Sequence, residues 1–393
     1  MRPRRFMAGL AATLLAAAAI TVLPFFLSDT HEYRFAFVAT FFIAALGLQI
    51  LTGYAGQISL GHGGFMLIGA YVTTILSVDH GWNDLATIPL AGLIAGVVGF
   101  LFGFPALRLR GVYLALATFA IPIALVALAK KYSDFTGGGG GKNLTRVLTG
   151  HDAYVTTWPI AGGMFVLAWL VLYGKLGRAF RTIRESEIAA VSSGINLALT
   201  KTLAFGISAF FAGVAGSLYA ITIGFVNPDT FQIELSLLIL IGVVVGGLGS
   251  LVGVVFGALF IEYVRLYAPD ILSWVEKPIG SPLDPQRAGA GAAVYGLALL
   301  LVLFMSPSGA AGLLRNAYKR LPAGFAERTM PELAVVIALW AAARFVVGGL
   351  IGEVAALVIL VAGVGVVVKR DRSRRPMAEP TAADVDVQTE KRR

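Results

Sequence analysis

The chain has 393 residues, of which 57% are hydrophobic and only 13% are charged. Because soluble domains carry about 25% charged residues, this composition excludes a soluble enzyme, a disordered protein and a nucleic-acid binder. The net charge of +9 instead marks cytoplasmic loops, where Lys and Arg concentrate in membrane proteins. The chain has no cysteine, which excludes disulfides, zinc–thiolate sites and thiol catalysis. We therefore predict an all-α fold, a polytopic transmembrane helical bundle.

The first apolar run, Phe6–Leu27, follows three arginines at the start of the chain. A basic start and an apolar run also describe a signal peptide. The run is long for a signal core, however, and no small-residue cleavage site follows it before Asp29. We therefore interpret it as a retained span whose N-terminus lies in the cytoplasm.

Further apolar runs have the length of about 20 residues that crosses a bilayer. With the first run they predict about 10–12 spans in the cell membrane. These runs are Phe35–Thr52, Gln57–Val78, Ala86–Phe104, Gly111–Ala129, Trp158–Gly174, Leu203–Gly224, Ala288–Met305, Leu333–Leu350 and Val354–Val368.

One apolar run, residues 233–266, is too long for a single untilted crossing and contains the glycine-rich segment Gly246–Ser250. If the run crossed once, the basic segment 306–331 would lie outside the cell. If the glycines divide it into two half-spans, that segment lies inside. The positive-inside rule favours the broken pair, which leaves most basic residues and both termini on the cytoplasmic side.

The chain divides by composition into four predicted parts. We expect a permease domain at residues 1–310, a basic cytoplasmic linker at 311–331 and an additional transmembrane hairpin at 332–368. Residues 369–393 form a charged tail with few apolar residues, which predicts disorder. The sequence indicates no role for the hairpin or the tail.

A glycine-rich segment enters the membrane between Leu51 and Phe65. Its five glycines would weaken a plain anchoring helix, so they indicate unwound or closely packed backbone. Irregular backbone at membrane depth is tolerated only beside protein or a water-lined cavity. Two interpretations stay open, a helix-packing seam with satisfied polar groups and a part of the translocation path. The candidate path residues are Gln57, Ser59, His62, Gly63 and Gly64.

The basic loop Lys175–Lys201 has a helical pattern. Arg181, Arg184 and Glu185 recur with Ala189 at helical spacing, and Gly194 and the residues after it supply a stop. The pattern predicts one short amphipathic helix and a turn on the cytoplasmic side. It is either a surface helix held by anionic membrane lipid or a docking helix for a soluble partner.

Four stretches carry a resemblance to one family. Glu187, Ala189, Ala190 and Gly194 resemble the Glu-Ala-Ala…Gly loop of ABC importer permeases. The segments Gly53–Phe65, Arg110–Phe119 and Gly246–Gly253 resemble, in this order, the permease subunits of branched-chain amino-acid ABC importers of the M type. The likeness covers roughly residues 30–310.

The resemblance implies a coupling helix seated in a groove of an ATPase subunit, with Glu187, Ala189, Ala190 and Gly194 as coupling positions. To these we add Arg178, Arg181, Arg184 and Glu185 from charge and helical spacing. The resemblance also implies partners, namely a homologous second permease, two cytoplasmic ATPases and an extracytoplasmic solute-binding protein. The ATPases bind the ATP, so we expect no cofactor in this chain.

We therefore expect the membrane subunit of an ATP-driven importer for branched-chain amino acids or a related small polar solute, such as urea or amides. We expect no enzymatic activity and no metal site. The alternative functions are a self-sufficient secondary carrier or channel and a scaffold that transports nothing. No carboxylate lies near the middle of a predicted span, which argues against an ion-coupled carrier. The docking loop argues against a scaffold.

Two features depart from the family pattern. The outer loop after the fifth predicted span has a glycine run from Gly137 that ends in Lys142, where the family has a Thr-Gly-Gly-x-x-Gly-Leu pattern. This departure leaves the ligand class and the docking of a binding protein open. The chain also continues past Gly309, where the family core is expected to end.

Overall fold

The computed structural model describes residues 29–106, 111–148 and 150–263, together with Leu109, Arg265, Gly309 and Gly312. The chain divides into two compact units, Met1–Leu314 and Arg315–Arg393, and every described residue belongs to the first. The predicted spans before Asp29 and after residue 266, and the predicted linker, hairpin and tail, lie outside the described residues. The division into four parts therefore stays a prediction.

The described part of the chain is helical apart from short turns and one small sheet. Two-residue strands β1 (Lys142–Asn143) and β2 (Phe225–Val226) pair antiparallel. The helices are α1 (Asp29–Leu48), α2 (His62–His80), α3 (Asp84–Ala106), α4 (Val112–Lys131), α5 (Ser133–Thr136), α6 (Gly150–Tyr173), α7 (Lys175–Glu185), α8 (Glu187–Ser192), α9 (Leu197–Ile223), α10 (Ile233–Gly246) and α11 (Leu251–Tyr263). A π-helical turn at Gln49–Tyr54 continues α1, and 3-10 turns lie at Gly138–Gly140 and Pro228–Phe231.

Six helical stretches within the described residues are long and apolar enough to cross a membrane. Their number and composition confirm the predicted polytopic helical bundle. They are Asp29–Tyr54, Asp84–Phe104, Tyr113–Lys131, Gly150–Tyr173, Leu197–Ile223 and Pro228–Gly246.

Helices α1 and α9 form the centre of the bundle. In the most apolar stretch of each helix, 94% of the residues are buried in α1 and 89% in α9. Only 28% are buried in the corresponding stretch of α6, which lies at the periphery. Apolar composition is similar in all three helices, because lipid and protein interior both favour apolar side chains. Burial in the bundle is therefore decided by packing partners rather than by hydropathy.

Small residues bring α9 into close contact with α2 and α3, and we call this contact the glycine seam. A Cβ on Gly69 of α2 would collide with the backbone of Gly213 in α9, and a Cβ on Gly99 of α3 would collide with Ala209. Helices in lipid associate through such close backbone approach. The small residues along α3 and α9 therefore pack these helices together.

Helix α6 begins two turns before the predicted span Trp158–Gly174. The residues in these turns are polar enough that hydropathy does not mark them. Thr157 is nevertheless fully buried, and its hydroxyl donates to the carbonyl oxygen of Ala153 at 2.8 Å. A hydroxyl satisfied within its own helix allows this segment to pack inside the bundle.

The apolar run 233–266 is broken, as predicted. Helix α10 ends at Gly246, and α11 begins at Leu251 after a turn in which Gly247 and Gly249 have φ of +109° and +81°. Only glycine adopts such backbone without strain. Helix α11 runs back toward the start of α1, where the Arg265 guanidinium carbon lies 4.9 Å from the Phe37 ring centroid.

The two ends of the bundle differ. One carries the start of α1, the α2–α3 turn and the pair β1–β2, and we call it the sheet end. The hairpin α10–α11 begins at this end, because Asp229 just before α10 pairs with Lys130 at the end of α4 at 2.6 Å, and it returns there, because Arg265 contacts Phe37 of α1. The opposite end carries α7 and α8, and we call it the elbow end.

Candidate functional site

The loop between α6 and α9 forms two helices instead of the single helix predicted. Ser186 interrupts the helical run with extended backbone, at φ −160°, and its Oγ accepts a hydrogen bond from the Ala189 N–H at 3.2 Å. A serine that caps a helix in this way begins a new helix. We call α7, Ser186 and α8 together the elbow.

Helix α7 is amphipathic, as predicted, and its apolar side faces the bundle. Phe180 and Ile183 are buried, and Gly177 lies so close to α6 that a Cβ would collide with the Leu172 carbonyl. This close approach holds α7 firmly across the end of α6. The opposite side of the helix, with Arg178 and Glu185, is exposed.

The three arginines assigned to partner docking have different surroundings. All three side chains are exposed, but Arg181 donates from Nη2 to the Leu172 carbonyl oxygen at 2.8 Å and so caps the last turn of α6. Arg184 donates from Nη1 to the carbonyl oxygen of Gly53. Two of the three guanidinium groups are thus directed at backbone of this chain.

The acidic residue of the coupling motif is tied to the bundle. Glu187 Oε1 lies 2.6 Å from the Nζ of Lys201 in α9, and Lys201 is only 8% exposed. The pair connects α8 with an inner helix of the bundle. Of the other motif residues, Ala190 is buried, Ala189 is exposed, and Gly194 has φ of +77° in the turn after α8.

Exposed apolar side chains on α8 were missed by the sequence analysis. Ile188 is 82% exposed and Val191 is 56% exposed, although both are apolar and adjoin motif positions. Their spacing of three residues places them on one face of the helix, and this spacing is a signal that the sequence contained. Apolar side chains exposed together on one helix face are available to contact another protein.

The glycine-rich segment is irregular, and its helix begins later than predicted. Residues 55–61 form no helix, so the predicted span Gln57–Val78 is helical only from His62 onward. Before this stretch, α1 widens into the π-helical turn Gln49–Tyr54. Glycine at 53 and 56 and the need to bury polar groups explain the departure from regular helix.

The five candidate path residues are buried within this chain. His62 Nε2 donates to the Ala44 carbonyl oxygen at 2.8 Å, and the Gly63 N–H donates to Ser236 Oγ, also at 2.8 Å. A Cβ on Gly64 would lie 3.1 Å from Pro122 in α4. The segment therefore joins α1, α4 and α10, a geometry that favours the packing interpretation for these three residues.

Gln57 and Ser59 complete the set. Both are at most 6% exposed, and the Gln57 carbonyl oxygen accepts a hydrogen bond from Thr52 Oγ1 at 3.0 Å. The Gln57 Nε2 atom is buried and has no hydrogen-bond partner within the described residues. A role of the five residues in the translocation path stays a prediction.

The sheet end contains an open cleft of about 420 Å³ between the α2–α3 turn and the loop that follows β1. Trp82 and Asp84 line one side, and Arg146 lines the other. The glycine run that precedes β1 is held in place, because Lys142 at its end pairs with Asp79 of α2 at 2.6 Å. The lysine thus serves an ion pair within the chain.

This arrangement defines a multi-pass membrane protein from whose bundle a two-helix elbow projects at one end. The model of a protein family described as the permease component of branched-chain amino acid transport systems matches residues 32–306. The match covers more than half of the chain. The chain therefore belongs to this family of transport permeases, as its motifs indicated.

Individual relatives agree with this assignment. The chain is 35% identical over 256 residues to the high-affinity branched-chain amino acid transport system permease protein LivM of Salmonella typhimurium, a match that covers 57% of this chain and 60% of the relative. The LivM protein of Escherichia coli matches over the same lengths. The chain thus spans about 60% of these two relatives.

A second kind of permease is also similar. The high-affinity branched-chain amino acid transport system permease protein LivH of Escherichia coli is 26% identical over 303 residues, which cover 70% of this chain and 92% of the relative. The chain is thus similar to both LivM and LivH. No solved structure matches the chain.

Proposed function

We propose that this chain is the membrane subunit of an ATP-driven importer, in which separate cytoplasmic subunits hydrolyse ATP. The elbow carries this proposal. It presents Ile188 and Val191 to solvent, while the Glu187–Lys201 pair and the Arg181 cap hold its two helices on the bundle. An exposed apolar face on a firmly held support is suited to receive force from a docked partner.

The proposed orientation places the elbow end in the cytoplasm and the sheet end outside the cell. The basic side chains of the elbow support this orientation, because loops rich in Lys and Arg stay on the cytoplasmic side. The return of the α10–α11 hairpin to the sheet end is consistent with it. The open cleft beside Trp82 and Arg146 would then face a solute-binding protein.

The proposed cargo is a branched-chain amino acid or a related small polar solute. The names of the LivM and LivH relatives support this choice. A homologous second permease is proposed as well, since systems with these names contain both kinds of permease subunit. Two ATPase subunits and a binding protein complete the proposed assembly.

Reconstitution tests the proposal directly. The chain is placed in liposomes with its co-purified partners, and uptake of radiolabelled leucine is measured with and without ATP on the side of the elbow. We expect uptake only with ATP, ATPase subunits and the binding protein together. If an ion gradient drives leucine uptake by the chain alone, without ATP or ATPase subunits, the chain is a secondary carrier and the proposal is wrong.

Urea and acetamide in place of leucine test the cargo. The branched-chain class is supported if an excess of valine or isoleucine reduces the uptake of leucine and an excess of urea leaves it unchanged. ATP-dependent uptake of urea or acetamide without uptake of leucine would contradict the proposed cargo and leave the ATP-driven mechanism intact.

A further inference from the structure

A polar contact connects the elbow with two non-helical segments of the bundle. Arg184, near the end of α7, donates from Nη1 to the carbonyl oxygen of Gly53 in the π-helical turn, 131 residues earlier in the chain. From the same turn, Gln49 Nε2 donates to the carbonyl oxygens of Gly247 and Ser250, both at 2.9 Å. Three parts of the chain therefore meet at one place, which we call the junction.

The junction lies where backbone leaves regular helix. The π-helical turn and the break between α10 and α11 both contain carbonyl groups that a continuous α-helix would have satisfied. An unpaired carbonyl is costly at membrane depth. Gln49, which is fully buried, and Arg184 supply the donors, and the charged donor makes the stronger bond. These two side chains therefore hold both irregular segments in their present shape.

Glycines allow Arg184 to lie close to the backbone of the junction. A Cβ on Gly56 would lie 3.0 Å from Arg184 Cγ, and a Cβ on Gly249 would lie 3.0 Å from Arg184 Nη1. A Cβ on Gly53 would lie 2.9 Å from the Gly249 backbone nitrogen. Groups in close contact pass displacement on to one another. We therefore expect a movement of Arg184 to shift the turn that contains Gly53, the turn that contains Gly249, or both.

The two helices of the elbow are attached to different parts of the bundle. Helix α8 is tied to the inner helix α9 through the Glu187–Lys201 pair, and α7 is tied to the junction through Arg184. Ser186 lies between them with extended backbone, outside both helices. Force that enters at the exposed face of α8 thus reaches the junction through α7 and Arg184.

We propose that Arg184 is a positioning residue that carries movement of the elbow to the π-helical turn and to the α10–α11 turn. The inference rests on the proposed function, because ATP-dependent force has to enter at α8. It reassigns Arg184, which the sequence pattern placed among the residues that meet the ATPase. Although Arg184 is an exposed residue, its guanidinium bonds to backbone of this chain, so it acts one step after the ATPase contact.

Spin labels at two positions distinguish a role of Arg184 in carrying movement from a role in docking the ATPase. The chain has no native cysteine, so a single introduced cysteine is the one site that a spin label takes when the chain is labelled before assembly. Ser192→Cys labels the end of α8, and Leu248→Cys, at a side chain that is 44% exposed, labels the α10–α11 turn. The spectrum of each label is recorded in the assembled complex without nucleotide and with ATP, in the unsubstituted chain and in the Arg184→Gln variant.

We expect both labels to respond to ATP in the unsubstituted chain. In Arg184→Gln, the label at 192 should still respond, and the label at 248 should not. ATP-driven uptake should fall roughly tenfold while ATP hydrolysis changes less than about twofold, because coupling between sites is lost and docking is kept. Lys175→Gln removes an exposed cation from the start of the same helix and should leave both label responses unchanged.

Other results overturn the inference. If both labels respond in Arg184→Gln, movement reaches the turn by another route. If neither label responds in an intact complex, Arg184 serves docking. If Arg184→Gln does not assemble, the same two labels are measured in Arg184→Lys. A full response of the label at 248 together with full uptake in this variant contradicts a need for the guanidinium. Absence of ATP-driven uptake by the unsubstituted complex would instead contradict the proposed function.

Discussion

The glycine seam and the junction both depend on glycine, but glycine serves different purposes in them. In the seam, glycines such as Gly69 lie inside regular helices, and the absence of a side chain lets two backbones touch. In the junction, Gly56 and Gly249 have φ of +71° and +81°, and the backbone is not helical. The seam is therefore a fixed contact, whereas the junction is a place where backbone has left its most stable form.

This difference predicts where movement occurs. A regular helix pair whose backbones touch has no alternative packing at similar energy. A segment whose carbonyls are satisfied by side chains can change partners without breaking a helix. Substitutions in the seam should thus reduce stability and uptake together, and substitutions in the junction should reduce uptake more than stability.

The largest loss of stability is expected in the seam. In Gly69→Ala the new Cβ collides with the backbone of Gly213, so the free energy of unfolding should fall by about 3 kcal/mol, because overpacked backbone cannot relax. Thermal unfolding in detergent measures it. Gly162→Ala in α6, where a Cβ meets no atom within 4 Å, is the matched control and should not destabilise the protein. Equal unfolding temperatures for the two variants would refute the seam as a fixed contact.

The next largest effect is expected where the elbow is tied to the bundle. Glu187→Gln leaves the Lys201 ammonium, which is 8% exposed, without its counter-charge and should cost about 2 kcal/mol. The paired variant, with both Glu187→Met and Lys201→Met, should recover most of the lost free energy of unfolding. Glu185→Gln, at an exposed acid one helix earlier, should leave the unfolding temperature unchanged. No difference between the single and the paired variant would show that the ion pair does not hold α8.

A smaller loss of stability and a larger loss of uptake are expected in the junction. Gly249→Ala places a Cβ on backbone with φ of +81°, which should cost roughly 1–2 kcal/mol. Uptake should fall further than this loss explains, because the Cβ also meets Arg184 Nη1. Gly139→Ala, which has open space around it, is the control. If uptake falls only in proportion to the amount of folded protein, the junction does not differ from the seam.

The smallest effect on stability is expected at the exposed face of α8. Ile188→Asp should change the free energy of unfolding by less than about 0.5 kcal/mol, because the side chain is 82% exposed. Association with the ATPase subunits should weaken by roughly tenfold or more, since an apolar anchor at a contact is lost. Pull-down of the ATPases with Ile188→Asp measures the weakening, and Ile188→Val is the conservative control. Undiminished recovery of the ATPases would place their contact elsewhere.

The sequence predicted the parts of the site better than their connections. The break at Gly246–Ser250 and the irregular backbone near Gly53 follow from glycine content, which reports local backbone freedom. The single helix predicted for the elbow was wrong, because Ser186 caps a second helix. A serine three residues before Ala189 is a weak signal, and the helical spacing from Arg184 and Glu185 to Ala189 continued across it.

The partners of the charged residues could not be read from the sequence. Arg184 and Gly53 are 131 residues apart, and nothing in the spacing of the arginines distinguishes Arg184 from Arg178. Lys201 was read as the end of the basic loop, although it is buried against Glu187. Charge pattern predicts which side of a membrane a loop lies on, but it does not predict which charge meets which group.

The sequence alone determined which segments are apolar enough to cross a membrane and where glycine breaks a helix, because both depend on residues close together in the chain. The orientation that the basic loops indicate stays a prediction. Only the tertiary structure decided that α1 and α9 lie inside, that α10 and α11 return to the sheet end, and that Arg184 closes the junction. The physical reason is that lipid and protein interior are equally apolar, so hydropathy places a helix in the membrane while backbone contact and hydrogen bonding place it in the bundle.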